Sequence, residues 1–151
     1  MNKFLAFITI FLMATSGCLG SEGLEDIEIP EPQADPQIVF INNSYQFDNL
    51  LPMGVGNHTD LYLNNTTFVY LDVWARFHEP SAWEQGSVNL TLAGPNNYSW
   101  SYETTNTTKN ITFNLTGAGN YTFRILAEGS DDPVDNLPGD AYVIYARFET
   151  W

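Results

Sequence analysis

From Gln37 onward, apolar and polar residues take turns, and this period of two constrains the fold more than any other feature. Val69, Leu71, Val73, Ala75 and Phe77 alternate with Phe68, Tyr70, Asp72, Trp74, Arg76 and His78. Ile111, Phe113 and Leu115 alternate with Asn110, Thr112, Asn114 and Thr116. Tyr121, Phe123, Ile125 and Ala127 form a third row, and Tyr142, Ile144, Ala146 and Phe148 a fourth. Successive side chains of an extended strand point to opposite faces, so each row is one buried face of a half-buried strand. Gly- and Asn-rich stretches, "GVGNHTD", "AGPNN", "TGAGN" and "GSDDPVDNLPGD", read as the breaks between strands. No segment carries a helical period with caps. The expectation is an all-β chain, an antiparallel β-sandwich of about seven to eight strands over residues 37–151.

Residues 1–36 stand outside that pattern. Lys3 precedes the apolar run FLAFITIFLMA at 4–14, and the small residues Thr15, Ser16 and Gly17 follow. That is the layout of a signal peptide over 1–17, and the run is short for a spanning helix. Residues 19–36 hold six carboxylates, no cation, and Pro30, Pro32 and Pro36. Like charges and prolines favour an extended chain, reaching roughly 55 Å at the polyproline rise. Residues 18–36 are thus expected to be an acidic tether. The chain bears 18 Asp and Glu against 5 Lys and Arg, net −13, which leaves no basic footprint for nucleic acid.

The single cysteine, Cys18, lies between these two segments. Ser16-Gly17-Cys18 resembles the lipobox of prokaryotic lipoproteins, and the "GCLG" that follows resembles archaeal lipoproteins in particular. Thr15 stands where such families usually carry Leu. The resemblance implies that Cys18 is lipidated and becomes the first mature residue. The other reading cleaves after Ala14-Thr15-Ser16 and leaves a free thiol.

"VNLTLAGPNNYSW" (88–100) aligns without gaps on "ITFNLTGAGNYTF" (111–123), which reads as two β-hairpins obeying the same turn chemistry, with a duplicated unit as the alternative. Gly117-Ala118-Gly119-Asn120-Tyr121 resembles the tyrosine corner of immunoglobulin-like sandwiches, with Gly117 in place of the usual Asp. With "GNYTFRILAEG" and "AYVIYARFE", residues 87–149 resemble a pre-peptidase C-terminal or immunoglobulin-like module. That resemblance implies a non-catalytic extracellular accessory domain.

Three constellations could carry chemistry. The N-x-S/T sequon occurs at Asn42, Asn57, Asn64, Asn65, Asn89, Asn97, Asn106, Asn110, Asn114 and Asn120. Random placement of 15 Asn and 22 Ser plus Thr would give about two such sites. Alternation of Asn and Thr on a wet strand face explains Asn89, Asn110 and Asn114. The sites in expected loops, Asn57, Asn64, Asn65 and Asn106, are the better glycosylation candidates. The second constellation is the outward row Phe68, Tyr70, Asp72, Trp74, Arg76, His78. Flat aromatics beside a carboxylate and an Arg suit a sugar or peptide ligand, unless a loop such as "EPSAWEQG" covers them. The third is Asp131, Asp132, Asp135 and Asp140, whose spacing departs from an EF-hand. It reads as a simple acidic loop, with weak Ca²⁺ binding as its alternative use, and no other cofactor is expected.

His58 and His78 are the only imidazoles, and neither lies in an H-E-x-x-H or G-x-S-x-G context. An enzyme is not expected. The sequence points to a membrane-anchored lipoprotein on the outer face of the cytoplasmic membrane, serving as a non-enzymatic binding or accessory module. One alternative is an envelope or filament subunit, with residues 37–49 donated as a strand to a neighbour. The other is a carbohydrate-binding module using Trp74 and its neighbours.

Overall fold

The computed structural model describes residues 34–78, 85–131 and 138–151. Within them the alternating rows become eight strands: β1 Gln37–Gln46, β2 Met53–Leu63, β3 Thr66–Arg76, β4 Ser87–Ala93, β5 Ser99–Thr104, β6 Asn106–Thr116, β7 Gly119–Gly129 and β8 Ala141–Thr150. A single 3₁₀ turn, Pro95–Asn97, links β4 to β5. All pairings are antiparallel and build two four-stranded sheets, β1-β8-β3-β6 and β2-β7-β4-β5. The sandwich and its eight strands match the sequence expectation.

The pairings are nested: β1 with β8, β2 with β7, β3 with β6, β4 with β5. This is one long hairpin rolled over on itself, the eight-strand jelly roll. It differs from the immunoglobulin order, which sets ABED against CFG.

The inward faces supply the core. Val69, Leu71 and Val73 of β3 meet Ile144, Ala146 and Phe148 of β8 in one layer. Val88, Leu90 and Leu92 of β4 and Phe123 and Ile125 of β7 form the facing layer. Phe123 and Phe148 touch across the gap edge to face, with centroids 5.8 Å apart. Trp100 of β5 stacks on Phe113 of β6 at 4.3 Å and seals the side where those two edge strands meet.

Tyr121 behaves as the corner residue that its motif resembles. Its ring is buried and its hydroxyl donates to the Gly117 carbonyl oxygen at 2.9 Å. A Cβ at Gly94 would lie 2.2 Å from that ring, so only glycine leaves room for it there.

Two expectations need correction. "GVGNHTD" is no break, because β2 runs unbroken through it, in register with β7 from Met53↔Gly129 to Leu63↔Gly119. A full ladder outweighs the poor strand propensity of two glycines, and at Gly56 an added Cβ would lie 3.0 Å from the Leu126 side chain. Nor is 111–123 a hairpin like 88–100. β4 and β5 pair with each other, but β6 and β7 belong to opposite sheets. Gly117, at φ +114°, carries the chain across, and its N–H donates to the Asn65 carbonyl.

Candidate functional site

β3 is an interior strand, so its outward row is flanked by β8 and β1 on one side and by β6 on the other. Register then builds rows across the sheet. Phe40, Arg147, Tyr70 and Thr112 share one row, and Asn42, Tyr145 and Asp72 the next. Ser44, Val143 and Trp74 form the row after that. A cleft of about 310 Å³ opens on the first two rows, lined by Phe40, Asn42, Tyr70, Asp72, Asn110, Thr112, Tyr145 and Arg147. A second hollow of about 360 Å³ follows along β3, over Gln46, Trp74, Arg76, Thr107 and Val143.

Exposure decides whether these aromatics are core or surface. Phe40 is 67% exposed, Tyr145 49%, Trp74 47% and Tyr70 39%, so none is covered by the sandwich itself. The outer face of the other sheet has a hollow too, over Gly54, Gly56, Asn89 and Leu126, but no aromatic ring lines it.

A bulge shapes the β6 side. Leu71 pairs with Ile111, but two residues on, Val73 pairs with Thr108, so β6 carries one residue more than β3. Asn110 absorbs it at φ +58°, a conformation Asn tolerates better than most side chains, and Asp72 Oδ1 accepts its N–H at 2.8 Å. In regular alternation from the inward Ile111, Lys109 would face the core. The bulge turns it outward, and its Nζ lies 3.5 Å from the centre of the Trp74 ring.

The six residues read as a ligand face separate into groups. Tyr70, Asp72, Trp74 and Arg76 remain on the outer face, with Arg76 donating to the Gly139 carbonyl at 2.8 Å. Phe68 is half-buried, its ring edge to face with Trp151. His78 lies beyond the end of β3, where its backbone N–H donates to Asp140 Oδ1 at 2.8 Å and its Nδ1 sits 3.4 Å from the same oxygen.

Phe40, Tyr145, Arg147 and Lys109 join the face from strands the sequence reading did not connect to it. Alternation alone would have marked Tyr145 and Arg147 as outward, since Ile144, Ala146 and Phe148 are inward. Which strands lie beside β3 was the missing information.

Asp140 is buried and spoken for: Ser130 N–H donates to its Oδ2 at 3.0 Å, and His78 engages Oδ1. Asp131 is half-buried, and Asp132 and Asp135 lie outside the described residues. Among the described residues no three His, Cys or acidic groups are gathered for a metal. Cys18, the signal segment and the tether up to Gln33 also lie outside them, as does 79–84 of the "EPSAWEQG" loop.

Eight sequon asparagines are exposed, and Asn64 and Asn89 are half-buried. Asn57 falls in β2 rather than in a loop, whereas Asn64 and Asn65 form the β2–β3 turn. Asn42 and Asn110 line the cleft itself. β1, the segment considered for donation, pairs along its whole length with β8 of its own chain.

Burial, and after it the neighbouring Tyr45, push the Tyr142 hydroxyl above the usual tyrosine range. It therefore stays protonated and donates to Asn43 Oδ1 at 2.9 Å beneath the second hollow.

No protein-family model matches the chain, and no curated protein matches it. Among solved structures, a carbohydrate-binding module, TmCBM61 in complex with beta-1,4-galactotriose, is similar to it at a TM-score of 0.40 and 12% identity. The likeness covers 70% of this chain and 68% of that one.

Proposed function

We propose that the outer face of the β1-β8-β3-β6 sheet is a carbohydrate-binding face and that the protein is a non-enzymatic binding module. One observation carries this reading: Phe40, Tyr70 and Tyr145, all exposed, line an open cleft with Asp72, Asn42, Asn110, Thr112 and Arg147, and exposed Trp74 lines the next hollow on the same face. A pyranose offers apolar C–H faces and a rim of hydroxyls. Aromatic planes match the first, and carboxylate, amide and guanidinium groups match the second. Tyr70 and Trp74 are four residues apart on one strand, about 13 Å. That spacing exceeds one sugar ring, so the ligand is an oligosaccharide lying along β3. Probing a glycan array with the purified protein tests this: chains of several sugars should be retained and monosaccharides should not. Retention of no glycan at all would remove the reading.

The N-terminal features suit a surface-displayed form of the same module, a lipoprotein attached through Cys18 and carrying N-glycans. Exposed turn sites such as Asn65 and Asn97 leave the cleft open, whereas glycans on Asn42 or Asn110 would fill it. Mass spectrometry of the mature protein should therefore find a lipid on an N-terminal Cys18, sugar at turn sites, and bare Asn42 and Asn110. An unmodified chain starting at Gly17 excludes the anchor.

A further inference from the structure

We propose that the ligand is an anionic glycan whose acid group is held by Lys109 above the Trp74 ring. This rests on the carbohydrate reading and names the ligand class of the same face. Acidic residues outnumber basic ones 18 to 5 along the chain, yet Arg76, Lys109 and Arg147 all fall on this one sheet face. Elsewhere among the described residues a single cation, Arg124, stands with seven carboxylates. Cations are thus gathered where the aromatics are, on a protein otherwise repellent to anions.

The partners on the face sharpen the assignment. Its two carboxylates are engaged, Glu149 with the Arg147 guanidinium and Asp72 with the Asn110 N–H. Lys109 has no carboxylate partner among the described residues; its ammonium rests on the Trp74 ring alone. A neutral sugar stacking on Trp74 would displace that ammonium and offer it only uncharged hydroxyl acceptors. An acidic sugar accepts a charge-assisted hydrogen bond from it while resting on the same ring. The bulge agrees: it interrupts a regular ladder and sets Asn110 at positive φ, and its effect is to bring Lys109 from the core side to the ligand side. Arg76, one row further along β3, extends the cationic end.

The test is calorimetric titration of the full-length protein with oligosaccharides of galacturonate, glucuronate and mannuronate, and with sulfated galactan fragments. Each is paired with its carboxyl-reduced or desulfated neutral counterpart. At least one anionic member should bind about tenfold or more tightly than its neutral partner, and the advantage should shrink with added salt. The two arms separate carboxylate from sulfate recognition. Lys109→Met, which keeps the apolar stem, should abolish the preference, and Lys109→Arg should retain it, with thermal midpoints confirming both folded. Equal affinity for charged and neutral partners, or a preference that survives Lys109→Met, overturns the anionic assignment and leaves the carbohydrate reading standing. Binding to no member of either set overturns the anionic assignment, and the glycan array then decides the carbohydrate reading separately.

Discussion

Tyr70→Ala is expected to weaken oligosaccharide binding by about thirtyfold or more while leaving the thermal midpoint almost unchanged. Tyr70 stands in the middle of the cleft row, with Phe40 and Arg147 on one side and Thr112 on the other. The Arg147 guanidinium lies 5.2 Å from its ring centre, so removing the ring also loosens that donor. A central aromatic of a binding face typically contributes about 2 kcal/mol or more to affinity. Its loss costs the fold little, because exposed substitutions usually stay within about 0.5 kcal/mol. Leu126→Ala, at 47% exposure on the opposite sheet, serves as the control and should bind as the unaltered protein does. If Tyr70→Ala binds as tightly as the parent, the ligand sits elsewhere.

The largest effect on stability should come from Phe47→Ala. Phe47 follows β1 and is completely buried, plugging the end of the sandwich with Tyr45 at 4.9 Å and Phe77 at 6.3 Å between ring centres. Its backbone N–H donates to the Asp140 carbonyl at 2.8 Å. Gly129 packs so closely that a Cβ there would lie 2.7 Å from the Phe47 ring. Gly129, packed against the ring, has no side chain to move into the space, so the cavity should persist. Truncating such a ring costs about 3–5 kcal/mol, which lowers the midpoint by roughly 10–25 °C in a domain of this size. Calorimetry reads this directly, and a fall of only a few degrees would mean that the end of the sandwich collapses onto the gap.

The core was legible in the sequence because burial in a two-layer sheet repeats every second residue. The four rows read from alternation supply much of the buried core, and Tyr121 was visible from its corner motif. Tyr70, Asp72, Trp74 and Arg76 were legible for the same reason, as the other half of the β3 row. What failed was information that is not local. "GVGNHTD" reads as a break by composition, and only pairing with β7 makes it a strand. The sheet exchange at Gly117 looks like a hairpin turn until β6 and β7 find separate partners. Lys109 would be placed inward by parity, and the bulge that reverses it depends on Asp72 from another strand. His78 keeps the parity of the ligand row but lies past the last ladder pair of β3, where Asp140 claims it.

The nested pairing has a mechanical consequence. Because β1 lies beside β8, Gln37 faces Thr150, and the polypeptide enters and leaves the sandwich at one corner. The Trp74 row aligns with Val143, seven residues back along β8 from Thr150, or about 23 Å. Whatever is joined to either end of the domain therefore holds it by that corner, like a handle. The Trp74 ring and the Lys109 ammonium above it lie toward the other end of the strands, away from that corner.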